Sequence, residues 1–203
     1  MKRFKVKKRQ GVRFIKIRIC CVVVAGAAAC TQKTAYHQME ERELASGERH
    51  DSLFLGIKLG MAPREFFDHC WQLNRQKLVH EGAGNMTVQY KMRELSKPAI
   101  MEFYPDFHQN KMYKMPVSIS YEAWAPWNKE LVADSLQLDV LRYYEKAYGP
   151  GFLKVEHPER GVAYVKVNGN RRISIYKEND SHVRVLFVDL LAEREKKKEE
   201  KKS

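Results

Sequence analysis

Metal or general-base chemistry in this chain would have to come from its seven histidines, His37, His50, His69, His80, His108, His157 and His182. None stands in a His-Glu-x-x-His pair that presents two imidazoles on one helix turn, and no close Cys/His spacing supplies three ligands. No metal site and no cofactor is expected. Cys70 beside His69 has the residue types of a thiol nucleophile and its base. Cys70, however, shares a helical stripe with Phe66, Phe67 and Trp71, and a thiol buried among aromatics has its pKa raised, the reverse of activation. The carboxylates Asp106, Glu122, Asp134, Glu156 and Glu159 do not pair in sequence, so a glycosidase-like couple would have to be assembled by folding. Gly82 to Asn85, "GAGN", precedes a strand pattern and opens no helix, so it is expected as a turn rather than a dinucleotide loop.

Two stretches carry stronger signals. Residues Tyr121 to Trp127, "YEAWAPW", place two indoles three apart around Pro126, where the chain leaves a sheet pattern. The indoles either close the open end of a core or present an anchor, and with Tyr121 they have the faces to stack a sugar. Tyr121, Trp124 and Trp127 form the expected recognition surface. The other stretch is Ile19 to Cys30, "ICCVVVAGAAAC", an apolar run preceded by nine basic and no acidic residues. It is too short for a permanent helical span, which needs about 20 residues, and it fits a secretory leader of residues 1–29. A Cys after three alanines resembles the bacterial lipobox, in which that Cys becomes the acylated first residue of the mature chain. Ala27 stands where the pattern usually has Leu or Val. The resemblance implies lipidation at Cys30 and attachment to a membrane through acyl chains.

The formal net charge of +12 suggests phosphate binding until it is mapped. Nine positive charges fall in residues 1–19, and the tail 193–203 adds six basic and four acidic residues, which leaves the rest of the chain nearly neutral. With no recognisable module or interleaved basic and aromatic surface, nucleic acid is not an expected partner. Once residues 1–30 are set aside, Cys70 is the single cysteine of the body, so no internal disulfide framework is expected.

The elements that must position these residues are an α+β set. Residues 30–51 are polar and read as a flexible tether with one exposed helical turn. A first unit, 52–126, opens with an apolar strand in "SLFLGIKLGM" and continues with a helix in "PREFFDHCWQLNRQ", where Pro63 suits the first turn. Strands follow at 77–80, 86–92, 99–104 and 115–123, with 107–114 polar enough for a turn. A second unit, 127–192, repeats the order. Asp134 and Gln137 have capping-box spacing before a helix that stops at Gly149, and strands follow at 152–156, 162–167, 172–177 and 182–190. The pattern predicts two small antiparallel sheets or one continuous sheet, with the helices packed on its apolar face. The final 193–203 reads as a charged tail.

"FLGIKLGMAPREFFDHC", through Gly60, Met61, Pro63, Glu65 and Phe66, resembles the opening of units in the beta-lactamase-inhibitor-protein-like (BLIP-like) superfamily and of small envelope lipoproteins of the outer-membrane assembly type. The chain as a whole looks like uncharacterised lipoproteins of Bacteroides and relatives. That resemblance implies a tandem α+β body, outer-membrane attachment, and a non-catalytic role in protein binding or envelope assembly with an envelope protein as partner. The alternative is an enzyme or carbohydrate-binding module acting on envelope polymers across an aromatic-rimmed cleft.

Overall fold

The computed structural model describes residues 34–82, 86–158 and 161–202. The leader at 1–29 and Cys30 lie outside them, as do Ala83 to Asn85 of the expected glycine turn and Glu159. The segment expected as a tether instead contains α1 (Ala35–Ala45), which Thr34 caps through its side chain. The helix is short and polar overall, so propensity alone would not hold it. It is held by packing against the body, with Tyr36, Met39 and Leu44 half-buried. The tight turn that follows replaces the expected first strand: Leu53 N–H donates to the Ile57 carbonyl, Ile57 N–H to that of Phe54, and Leu55 has a φ of 51°.

α2 (Pro63–Arg75) leads into β1 (Val79–Glu81), β2 (Val88–Met92), β3 (Ala99–Phe103), β4 (Asp106–His108) and β5 (Lys111–Tyr121). The polar stretch expected as one long turn is a hairpin between β4 and β5. Its reversal is confined to Gln109 and Asn110, both with positive φ, as the hairpin twist demands. α3 (Ala133–Tyr148) follows a single 3₁₀ turn, and the chain then forms β6 (Leu153–His157), β7 (Gly161–Asn168), β8 (Arg171–Lys177), β9 (His182–Asp189) and α4 (Leu190–Glu200). The expected capping box is absent: Val132 precedes the helix, Asp134 lies inside its first turn, and Gln137 is buried with its amide donating to the Val162 and Ile175 carbonyls. The expected C-terminal tail is mostly α4, started by the Asp189 carboxylate accepting from Leu191 and Ala192 N–H.

All the strand pairs are antiparallel and belong to one sheet in the order β1-β2-β3-β5-β9-β8-β7-β6, with β4 hydrogen-bonded to β5. The architecture is α+β, with four helices among the described residues and one large sheet rather than two. Each of α2 and α3 is followed by an antiparallel meander, and the two meanders join along their last strands. At that seam Val117 pairs with Val185 and Ile119 with Val183. One sheet face, with Met101, Phe103, Met115, Val117, Val185 and Phe187, packs against Phe66 and Cys70 of α2 and Leu136, Val140 and Tyr144 of α3. Burying these side chains is the main stabilising term, at roughly 1.5–3 kcal/mol for each large one.

The other face is covered only in part. Arg172, which alternation places there, donates to the Tyr36 hydroxyl at 3.1 Å, and Arg194 of α4 bonds Glu40 of α1 at 2.7 Å. Between α1 and the turn at 53–57, the chain is fastened to the β7–β8 hairpin and to the end of β9. Arg49 meets Asp189 at 2.9 Å, His50 N–H donates to Asn170 Oδ1 at 2.7 Å, and Asn170 Nδ2 donates to both Asp51 and Asp189. The hairpin turns at Gly169, with φ of 51°, directly against the Glu48 carbonyl.

Candidate functional site

The residues singled out for chemistry are dispersed by the fold. Each candidate carboxylate among the described residues meets a lysine: Asp106 with Lys114, Glu122 with Lys91, Asp134 with Lys177 and Glu156 with Lys154. Among the described residues, no three His, Cys, Asp or Glu side chains gather as a metal set. His69 does not face Cys70. Its Nε2–H donates to the Leu55 carbonyl at 2.7 Å and so fastens the turn at 53–57 to α2. Burial pushes the Cys70 thiol up to about 11, which leaves it protonated and inert at neutral pH.

The expected recognition surface separates into its parts. Tyr121 is withdrawn from it: the residue is 4% exposed, its ring joins the core, and its hydroxyl donates to Asp139 Oδ2 at 3.1 Å. Burial, with the Asp139 charge, pushes the phenol up to about 12. Asp139 also accepts from Ser96 N–H at 2.9 Å and Ser96 Oγ at 2.5 Å, and pairs with Arg142 at 3.0 Å. Burial alone would raise this carboxyl, but the Ser96, Arg142 and Tyr121 hydrogen bonds outweigh it and hold the group below its ordinary range. Trp124 and Trp127 do reach solvent, at 37% and 84% exposure. Trp124 lines a cleft with Pro126, the start of α3 and the β8–β9 turn.

A second aromatic surface lies elsewhere, on the outer flank of α2. Phe66, Cys70 and Leu73 are the buried stripe of that helix, whereas Phe67 and Trp71, one position further round, are exposed. Trp71 is 61% and Met86 74% exposed, and together with Phe67, Val88 and Tyr104 they line a groove of about 310 Å³ between α2 and the β1–β2 edge. The Phe67 and Tyr104 rings lie 6.3 Å apart, and the Arg75 guanidinium sits over Trp71 at 4.9 Å from the ring centre. Spacing alone places Phe67 and Trp71 with the core stripe, and the structure separates them from it. The signal that separates them is width: 66, 70 and 73 already fill one apolar arc, and 67, 71 and 74 make a second arc about 100° away.

No protein family model matches the chain, and no curated protein or solved structure matches it. What the molecule shows of its class is the fold, an α+β body on one large antiparallel sheet. Among its described residues, no helix is long and apolar enough to cross a membrane.

Proposed function

We propose that the protein is an envelope lipoprotein, acylated at Cys30 and attached to the outer membrane, whose tandem BLIP-like body binds an envelope protein without chemistry of its own. The observation that carries the binding half of this reading is the α2 groove, with Phe67, Trp71, Met86 and Tyr104 set side by side in solvent. Isolated exposed apolar residues are ordinary, but a contiguous aromatic set with a rim of Arg75, His80 and Glu81 has the make-up of a hot spot and its polar surround. The occupant that fits is a protein segment offering aliphatic or aromatic side chains to the groove and polar groups to the rim. The leader-like run and the Cys after small residues support the anchoring half.

The test uses the full chain in a Gram-negative host. Intact mass should show a chain beginning at Cys30 with added acyl mass, and Cys30→Ser should abolish the modification and release the protein from membranes. A photoreactive side chain at position 71 should give one discrete protein adduct, and one at exposed Leu138 should not. Phe67→Ala and Met86→Ala should each weaken the adduct. An unprocessed soluble chain would end the anchoring reading. A crosslinking pattern identical from positions 71 and 138 would end the groove reading.

A further inference from the structure

The Trp124 cleft differs in kind from the α2 groove. Its volume is about 540 Å³, within the range of small-ligand sites. Its lining combines the Trp124 indole, Pro126 and Val132 with the polar side chains of Lys177, Asn179 and Asp180. We propose that this cleft binds a saccharide, with a pyranose ring lying on the Trp124 indole and its hydroxyls held by Asn179 and Asp180.

The polar side of the lining is tied to the body by its backbone, and its hydrogen-bonding capacity is only partly used. Ala133 N–H donates to the Asp180 carbonyl at 2.9 Å, which fixes the β8–β9 turn to the start of α3. Asn179 Oδ1 accepts from the Ser181 and His182 amides at 2.9 and 2.8 Å and from Ser181 Oγ at 3.0 Å. That leaves the Asn179 NH₂ as a donor, and neither it nor the Asp180 carboxylate has a hydrogen-bond or ion-pair partner among the described residues. A donor and an anionic acceptor on successive residues match two neighbouring hydroxyls, each of which both donates and accepts. Lys177 is already neutralised by Asp134 at 2.6 Å.

The same inventory disfavours other ligands. An anion would meet Asp180 with the nearby ammonium already paired, and a divalent cation would find too few oxygen ligands. A purely apolar segment would leave Asn179 and Asp180 desolvated without partners. A saccharide has one face of C–H groups for the indole and a rim of hydroxyls for the polar side of the lining. This inference is independent of the lipoprotein reading, because it requires neither acylation nor the α2 groove.

The test is titration of the ¹⁵N-labelled protein with the tetrasaccharides of N-acetylglucosamine, glucose (β-1,4-linked) and mannose, followed by isothermal calorimetry on any that bind. The N-acetylated arm against the two arms without acetamido groups separates a peptidoglycan-like source from a polysaccharide of unsubstituted sugars. The expected result is a saturable shift of the Trp124 indole N–H and of residues 179–182 with at least one sugar. Trp124→Ala should weaken binding roughly tenfold or more, and Trp124→Phe should retain part of it. Asp180→Asn, an exposed position whose carboxylate makes no folded-state bond, should weaken binding several-fold without altering the far-ultraviolet spectrum. The proposal is overturned if no sugar gives a saturable shift at millimolar concentration, or if binding is unchanged in both Trp124→Ala and Asp180→Asn.

Discussion

Replacing Gly169 by alanine should be among the most damaging single-methyl changes in this molecule. The residue has a φ of 51°, and a methyl group there would lie 2.2 Å from the Glu48 carbonyl oxygen and 2.8 Å from its carbon. The left-handed conformation costs an alanine about 1–2 kcal/mol, and overpacking against a fixed neighbour typically adds about 1–3 kcal/mol. The neighbour is fixed, because the chain after Glu48 is held by Arg49 on Asp189, His50 on Asn170 and Asn170 on Asp51. The expected loss is therefore about 2–5 kcal/mol. For a domain of this size that corresponds to a fall in Tm of about 10 °C at the middle of the range. Gly60→Ala is the control that isolates the clash, since Gly60 has a φ of 82° with nothing within 4 Å of the added methyl. Urea denaturation of both variants, followed by circular dichroism, measures the difference. Equal losses for the two, or a loss below about 1 kcal/mol for Gly169→Ala, would refute the claim that residues 48–51 are held rigidly against the hairpin.

Further outcomes follow from groups in the core. Asp139→Ala should cost about 2–4 kcal/mol by leaving the Tyr121 hydroxyl and the Ser96 amide without their acceptor. Because the Asp139 carboxyl is depressed in the folded state, its contribution is complete above the ordinary carboxylate range and is lost as pH falls through the folded value. Denaturation midpoints across acid pH should consequently fall less steeply in Asp139→Asn than in the parent. The Tyr144 hydroxyl is fully buried with no partner among the described residues, so Tyr144→Phe should leave stability unchanged or raise it by about 1 kcal/mol. A loss of more than about 1 kcal/mol in thermal unfolding would show that the hydroxyl is satisfied. In a variant with Cys20, Cys21 and Cys30 replaced by serine, Cys70 should resist a thiol reagent at pH 8, where a thiol pushed up to about 11 stays protonated, and should react at once in urea. Rapid labelling of the folded chain would contradict the assigned burial.

The elements legible in the sequence are those whose signals are local. Pro63 at the head of α2, the strict alternation of β5 and the Asn-Gly-Asn reversal before β8 all report their own conformation. That same alternation placed Tyr121 on the inward face with Val117 and Ile119. Parity therefore already argued against Tyr121 as a surface residue, although its proximity to two tryptophans suggested the opposite. The reversal expected across 107–114 is only two residues long, and the strand pairing on either side of Gln109–Asn110 is not legible because the turn uses positive φ without glycine. α1 and α4 were hidden because polar helices give no periodic apolar signal, and what holds them is tertiary: Arg49 reaches Asp189 across 140 residues, and Arg194 reaches Glu40 across 154. The α2 groove is obscured for the opposite reason, since an exposed aromatic residue next to a buried one reads in sequence as part of the same stripe. Of the expected recognition residues, Trp124 and Trp127 are accessible and Tyr121 is not.

The seam between β5 and β9 also governs how the chain matures. The four strands β1, β2, β3 and β5 are complete by residue 121, yet the partner for the far edge of β5 begins only at His182. During synthesis, some sixty residues must emerge before that edge is covered. In the interval the half-built sheet presents a long strand, with Met115, Val117 and Ile119 on one side and open amides along its length. Such an edge is a template for pairing with another nascent chain, and it closes only after a slow, long-range contact forms. The middle of this sheet is thus its last part to be made, and the exposure of an unpaired edge is greatest between residues 121 and 182 rather than at either end.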